Sequence, residues 1–258
     1  MLTELEAGKS EPVEGMEKPS IRRIFATTHW SVVLEACEGD PVASRQALEA
    51  LCQSYWYPIY VYVRRKGHGP DEAQDLTQEF FLQFIAKEHL RLADRNKGRF
   101  RTFLLAFLDY FLAREWTRAH RQKRGGHCQF ISLDQADPEE RYQLEPPAPD
   151  HSPEQLFHRQ WALALLARTM ASLEEECATE GKTQLFRELR PQLSGDRDRQ
   201  SAAEVAVRLG MNEGAVRVAV HRLRRRFGVL LRQHIQQTVA HPDQVDEELR
   251  FLRQVLAT

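Results

Sequence analysis

The sequence predicts an all-α protein of two helical lobes joined by an acidic, proline-containing linker, with the second lobe ending in a helix-turn-helix. Three observations carry this. Apolar residues recur at steps of three and four through most of the chain, and no stretch shows a strand pattern. Residues 127–153 lose that periodicity and gather proline and acid, as in EPPAPDHSP. The stretch SAAEVAVRLGMNEGAVRVAVHRLRRRF, residues 201–227, reads as two short helices about a glycine turn.

The elements follow in order. Residues 1–20, rich in Glu, Gly and Pro, are expected to be disordered. A first helix is expected after Thr28, with Trp30, Val33, Leu34 and Cys37 on one side and Gly39, Asp40 and Pro41 closing it. A second runs from about Val42 to Lys66, where Pro58 should kink or break it. Gly67 to Pro70 form a turn, and Asp71 starts a helix through DEAQDLTQEFFLQFI. The polar loop HLRLADRNKGR leads into the most apolar helix, 100–124, which ends at Gly125–Gly126. After the linker, helices resume at EQLFHRQWALALLARTMASLEEE and TQLFRELRPQL, and the polar break SGDRDRQ precedes the helix-turn-helix. The division is therefore 21–126 for the first lobe, 127–153 for the linker, 154–236 for the second lobe and 237–258 for an amphipathic extension. In that extension Leu249, Leu252 and Leu256 form a stripe that must pack on something. Packing against the second lobe is the plain reading; masking of the docking face or the DNA lobe is the other.

Composition bounds the function. With 258 residues and 42% hydrophobic content the chain can bury real cores. A net charge of −1 excludes a uniformly basic coat but hides segregation. Leu112–Gly126 carries five Lys/Arg against one Glu, and Arg208–Arg232 seven Arg against one Glu. Ser132–Pro153 reverses the sign, with six acidic residues and one Arg. Such blocks suit DNA contacts plus a second partner or channel. Cys37, Cys52, Cys128 and Cys177 are scattered, which fits a reduced, cytoplasmic chain, and no four-ligand metal spacing exists. The longest apolar run, Trp161–Ala167, is too short for a bilayer, and the acidic N-terminal stretch has no apolar signal core. No nucleotide loop or paired-carboxylate arrangement stands out, so neither a cofactor nor an enzymatic activity is expected.

In the helix-turn-helix, Ser201 and Glu204 form a capping-box pattern, Gly210 supplies the turn and Asn212 caps the second helix. Val216, Val220, Leu223 and Phe227 make its buried stripe, so Arg217, His221, Arg222, Arg224 and Arg225 project elsewhere. A cationic outer face on such a corner suits a DNA major groove. Arg217 and Arg222, with His221 near them, are the leading groove contacts, since arginine pairs bidentately with guanine. Arg224 and Arg225, with Arg226, come later and suit the phosphate backbone. On helix 100–124, Arg114, Arg118 and Arg121 recur with Trp116 among them, a pattern that fits phosphate tracking and stacking on an unpaired base. A core anchor for Trp116 and a solvated face for the arginines are the plainer readings. On the 71–85 helix, Asp75, Gln78 and Glu79 share one face, with Leu76, Phe80 and Phe81 packing behind or beside them, a surface for a basic helical partner or an ordinary solvated face.

Taken together, DEAQDLTQEFF at 71–81 and EVAVRLGMNEGAVRVAVHRLRRR at 204–226 resemble regions 2.2 and 4.2 of the extracytoplasmic-function group of bacterial RNA polymerase sigma factors. The likeness covers roughly residues 45–126 and 155–232. It implies docking of Asp75, Gln78, Glu79 and Phe80 on the polymerase β′ clamp helices, and of the second lobe at the β flap. It implies reading of the −35 element by Arg217, Val218, His221, Arg222, Arg224 and Arg225. It also implies that the loop 90–99, through Arg95, Asn96 and Lys97, receives a flipped base of the −10 element, while Arg114, Trp116, Arg118 and Arg121 assist melting. Asn96 and Gly98 serve equally as turn residues.

The linker's 27 residues reach about 90 Å extended, against about 68 Å for two duplex turns. Its acidity fits the polymerase's basic RNA path; a flexible tether is the alternative. Two departures stand out. Many relatives have a polar pair where Val218 and Ala219 stand, which suggests apolar contact to a thymine methyl. Gln74 replaces a common acid, and Thr77 lies within the docking face, where a Ser/Thr kinase would add about −1.5 to −2 charges. A merely tolerated helix residue is the plainer reading of Thr77. The resulting expectation is a sigma factor that binds core polymerase and promoter DNA, open to control by an anti-sigma factor or kinase. The alternative is a free-standing helix-turn-helix regulator that does not bind polymerase.

Overall fold

The computed structural model describes residues 30–86, 89–121, 138–144, 150–193 and 201–257. The expectations for residues 1–20, for most of the linker and for the Arg121 side chain lie outside the described residues. The described residues are mostly helical, with no strand: α1 (Trp30–Glu38), α2 (Pro41–Arg65), α3 (Pro70–Ala86), α4 (Phe100–Arg121), α5 (Pro138–Leu144), α6 (Pro153–Thr179), α7 (Thr183–Leu193), α8 (Ala202–Leu209), α9 (Glu213–Gln236) and α10 (Val245–Ala257). Short 3-10 turns occupy His89–Leu92, Arg95–Lys97 and Pro242–Gln244.

The central element is α2. Asp40 caps it, its Oδ1 accepting from the Val42 and Ala43 amides at 2.9 and 3.0 Å, with Pro41 in the first turn. From Tyr55 to Val63 every residue is buried, so this half is apolar all round and must be surrounded. The helix continues through Pro58 rather than breaking there. An interior proline costs about 3 kcal/mol, and burial on all sides offsets it. The tyrosine hydroxyls reach carboxylates at the rim: Tyr62 donates to Asp109 at 2.6 Å and Tyr60 to Glu139 at 2.5 Å.

Around α2 lie α1, α3, α4 and the first half of α6. From α1 come Trp30, Val33 and Ala36; Leu34, expected on the buried side, faces outward. Helices α3 and α4 add a phenylalanine cluster in which Phe80 meets Phe81, Phe84, Phe107 and Phe111 at 5.4–5.7 Å between ring centroids. Leu156, Phe157, Trp161, Ala162 and Leu165 of α6 belong to this same core, where Phe157 stacks on Tyr55 at 6.1 Å.

The apolar core therefore does not divide where the composition does. At 27 and 24 residues, α6 and α9 are about 40 and 36 Å long, and each spans two packing regions. Their near ends join the α2 core. Their far ends, with α7 and α8, build two smaller clusters, one around Leu173, Phe186 and Leu230, the other around Leu189, Val205 and Val216.

The linker also departs from expectation. Within it, α5 is helical and fastened to α2. Glu139 takes both ends of the Arg64 guanidinium at 2.9 and 3.0 Å, and the Arg141 guanidinium lies 3.8 Å over the Tyr57 ring. Burial raises the Glu139 carboxyl, but hydrogen bonds from Arg64, Tyr60 and Gln143 outweigh it and hold the pKa below the usual value. The linker's acid is thus partly spent inside the chain.

Phe157→Ala should lower unfolding stability by about 3–5 kcal/mol, read by urea denaturation. A loss below about 1 kcal/mol would show that α6 is not integral to the α2 core.

Candidate nucleic-acid interface

Local capping builds the corner between α8 and α9. Ser201 Oγ accepts from the Glu204 amide at 3.2 Å while Glu204 Oε2 accepts from the Ser201 amide at 2.9 Å. Gly210 ends α8 in the left-handed region, at φ 63° and ψ 30°, where a side chain would be strained. Asn212 Oδ1 then accepts from the Ala215 amide at 2.7 Å to start α9. Val205 and Val216 close the angle against Leu189 of α7.

On the outer side of α9, Arg217, Val218, His221, Arg222 and Arg225 are exposed, Val218 by 50%. Arg217 pairs with Glu213 at 2.5 Å. Among the described residues His221, Arg222 and Arg225 show no ion-pair partner. Arg224 differs from its expected backbone role, because its guanidinium donates to the Gln192 carbonyl at 2.7 Å and holds the end of α7. Arg226 grips Glu176 of α6 at 2.7 and 2.5 Å, and those bonds pull the Glu176 carboxyl down. Arginines that look alike in the sequence thus divide between holding the corner and facing outward.

The second cationic surface lies on the 94–99 loop and α4. Asp94 Oδ1 accepts from the Asn96 amide at 2.9 Å, and Gly98, at φ 133°, turns the chain into α4. Asn96 and Lys97 are exposed. Arg95 instead donates from Nε and one terminal nitrogen to the Val239 carbonyl, at 3.1 and 2.9 Å. Along α4, Arg114 and Arg118 are exposed, Arg118 lying 3.7 Å from Glu115. Trp116 is 63% exposed, which removes its reading as a core anchor, and Tyr110 is exposed as well. A cleft of about 520 Å³ opens beside the loop, between Trp30, Lys97, Arg99 and Phe103 on one side and Gln244 and Glu247 on the other.

On α3, Asp75 is exposed while Gln78 and Glu79 are half-buried, with Glu79 accepting from Gln83 at 2.7 Å. Two expectations here are corrected. Phe80 is fully enclosed in the phenylalanine cluster, so it supports the face and cannot touch a partner. Thr77 is also at 0% exposure, and its hydroxyl donates to the Ala73 carbonyl at 2.7 Å. A kinase cannot reach it while α3 stays packed. The spacing of Ala73, Thr77, Phe80 and Phe84 places Thr77 on the inner stripe.

A buried charge cluster joins α10 to the start of α4. Glu248 of α10 is fully buried, receiving Arg99 Nε at 2.5 Å and the Arg101 guanidinium beside it. Arg101 is buried too, 4.2 Å from the Trp161 ring centroid and 4.8 Å from that of Phe251. Desolvation draws its pKa down, and Glu248 opposes the shift. The sequence signals the burial of Glu248 though not its partners: it stands three after Val245 and four before Leu252, a carboxylate within an apolar stripe.

Two histidines sit within this framework. Burial, with Arg101 nearby, lowers His158 to about 4, and burial, with Arg168 nearby, does the same to His234, which is 3.2 Å from Ser172 Oγ. No family model, curated protein or solved structure matches the chain.

Both imidazoles stay neutral in the fold at pH values where those of the unfolded chain take up protons. Their contribution is complete above about pH 6.5 and is lost as pH falls toward about 4. Urea unfolding at pH 7 and pH 5 should show a smaller acid loss for His158→Gln/His234→Gln than for the wild type. Equal losses would remove these histidines from the account.

Proposed function

We propose that this chain is a promoter-specificity subunit of bacterial RNA polymerase, of the extracytoplasmic-function sigma type. The observation that supports it best is the pair of outward cationic faces on one chain: His221, Arg222 and Arg225 on the capped α8–α9 corner, and Arg114 and Arg118 beside exposed Trp116 and Tyr110 on α4. The first suits a duplex groove, the second an unpaired strand with bases free to stack. In this reading α9 meets the −35 element, with Val218 offered to a thymine methyl. Asn96, Lys97 and the outer side of α4 meet the −10 element, with Arg95 and Arg217 joining once their present partners are exchanged.

Asp75, Gln78 and Glu79 present carboxylates and an amide to the basic clamp helices of β′, and the far lobe rests at the β flap. The polymerase does the chemistry; this chain contributes binding and strand opening. A free-standing regulator needs only the α8–α9 corner and leaves the α3 and α4 faces without a use.

Run-off transcription with purified core polymerase, on the DNA upstream of the chain's own coding sequence, tests the reading directly. A transcript that depends on the protein is expected. Failure to bind core enzyme, with duplex binding retained, would favour the free-standing regulator. Arg222→Ala should cost about 1–3 kcal/mol on the preferred duplex. Arg225→Ala should weaken all duplexes alike and reduce the salt slope by about 0.9. Asp75→Lys should reduce capture by core polymerase while leaving duplex binding intact.

A further inference from the structure

We propose that residues 238–257 form an internal lock on the 94–101 surface, occupying with carboxylate and carbonyl oxygens the place of a nucleic-acid backbone. The inference rests on the nucleic-acid reading above and adds its regulation.

The geometry begins at the end of α9. The Trp30 amide donates to the Gln237 carbonyl at 2.9 Å, and Thr238 and Val239 are buried just beyond. Val239 offers its carbonyl to Arg95, and the turn at Pro242–Gln244 brings α10 back across the start of α4. The first turn of α10 is Asp246, Glu247 and Glu248. Glu248 takes Arg99 and Arg101, and Glu247 takes the other end of Arg99 at 3.3 Å. Of the four cations at 95, 97, 99 and 101, three are therefore directed at this segment. Lys97 alone of the four is not directed at it, and lies 3.8 Å from Asp94.

The chemistry of the contact favours an exchangeable cover over a plain packing element. A buried ion pair does not stabilise more than an apolar pair of the same shape, because both charges lose their water. The stripe position at 248 could carry leucine, as 249, 252 and 256 do, and pack the segment more firmly. Val245 and Leu252 are the buried apolar anchors among the described residues of α10, whereas Leu249, Phe251, Val255 and Leu256 are half-buried. Besides its packing on α6 and α9, the segment is held by the ion pairs of Glu247 and Glu248 with Arg99 and Arg101 and by the Arg95 hydrogen bonds to the Val239 carbonyl. Phosphate oxygens accept the same bonds from the same donors. The cleft beside the loop has the complementary property: Trp30 and Phe103 offer aromatic surface, but a strand entering past Lys97 meets the Glu247 carboxylate. The segment repels an unpaired strand at the mouth and holds its arginines behind it.

Two labelled probes of random sequence, each about 20 nucleotides long, separate the possibilities: one single-stranded, one duplex. Anisotropy is measured on the full chain, on Glu248→Gln and on Glu180→Gln, which makes the same change of charge at the exposed far end of α6. Amide exchange of 245–257 is followed in the wild type with and without the single strand. The lock predicts that the single strand speeds exchange there. It also predicts that Glu248→Gln gains about tenfold in single-strand affinity over Glu180→Gln, as expected for a competent state raised from a tenth of the population, with duplex affinity equal in the two. Unchanged or slower exchange, with equal single-strand affinities, overturns the lock and leaves the nucleic-acid reading standing. Absence of binding to either probe by every variant overturns both. If Glu248→Gln fails to fold, the wild-type exchange measurement decides alone.

Discussion

The structure depends on one constraint: the second half of α2 is apolar on every side and has to be enclosed. Tyr55, Ile59, Tyr60, Val61, Tyr62 and Val63 are all essentially inaccessible. A helix of this kind cannot lie at a surface, so other helices must wrap it. α1 and α3 cover two sides, α5 fastens to its tyrosines, and α6 closes the remainder. Drawing α6 inward couples the chain on both sides of the linker, because a helix of 27 residues cannot end where the core ends. Its far half emerges to carry α7 and the α8–α9 corner.

The consequence concerns how two cationic surfaces are held relative to each other. The linker's length suggested lobes free to separate and grip DNA at two points. Here α6 and α9 both run from the α2 core into the far clusters, so rigid helices, rather than a tether, set the relation between the corner and α4. Two-point engagement of DNA would therefore require the α6–α2 contact to open, or the DNA to suit the existing spacing.

A second consequence concerns charge. The chain is nearly neutral in sum, and several of its arginines are engaged by carboxylates of the same chain: Arg64 by Glu139, Arg226 by Glu176, Arg99 and Arg101 by Glu248. Counting arginines thus overstates what faces a partner. The exposed remainder on α9 and α4 is smaller, and its geometry is defined by the arginines that are already engaged.

By itself the sequence determined the all-helical class, the α8–α9 corner and the outer face of α9. Each of these depends on contacts three or four residues apart: a cap at Ser201, a left-handed glycine at 210, a cap at Asn212 and a stripe from Val216 to Phe227. Tertiary structure decided the rest. Periodicity shows that α3 has two faces but does not say which one packs, and only the fold places Thr77 and Phe80 inward. Composition marked a boundary at 127–153, yet helix α5 sits inside it and the core runs across it. Residues distant along the chain, such as Arg101 and Glu248, carry no local signal of their pairing. Burial of one charge makes sense only where the fold brings the other, and that meeting is settled by packing around α2.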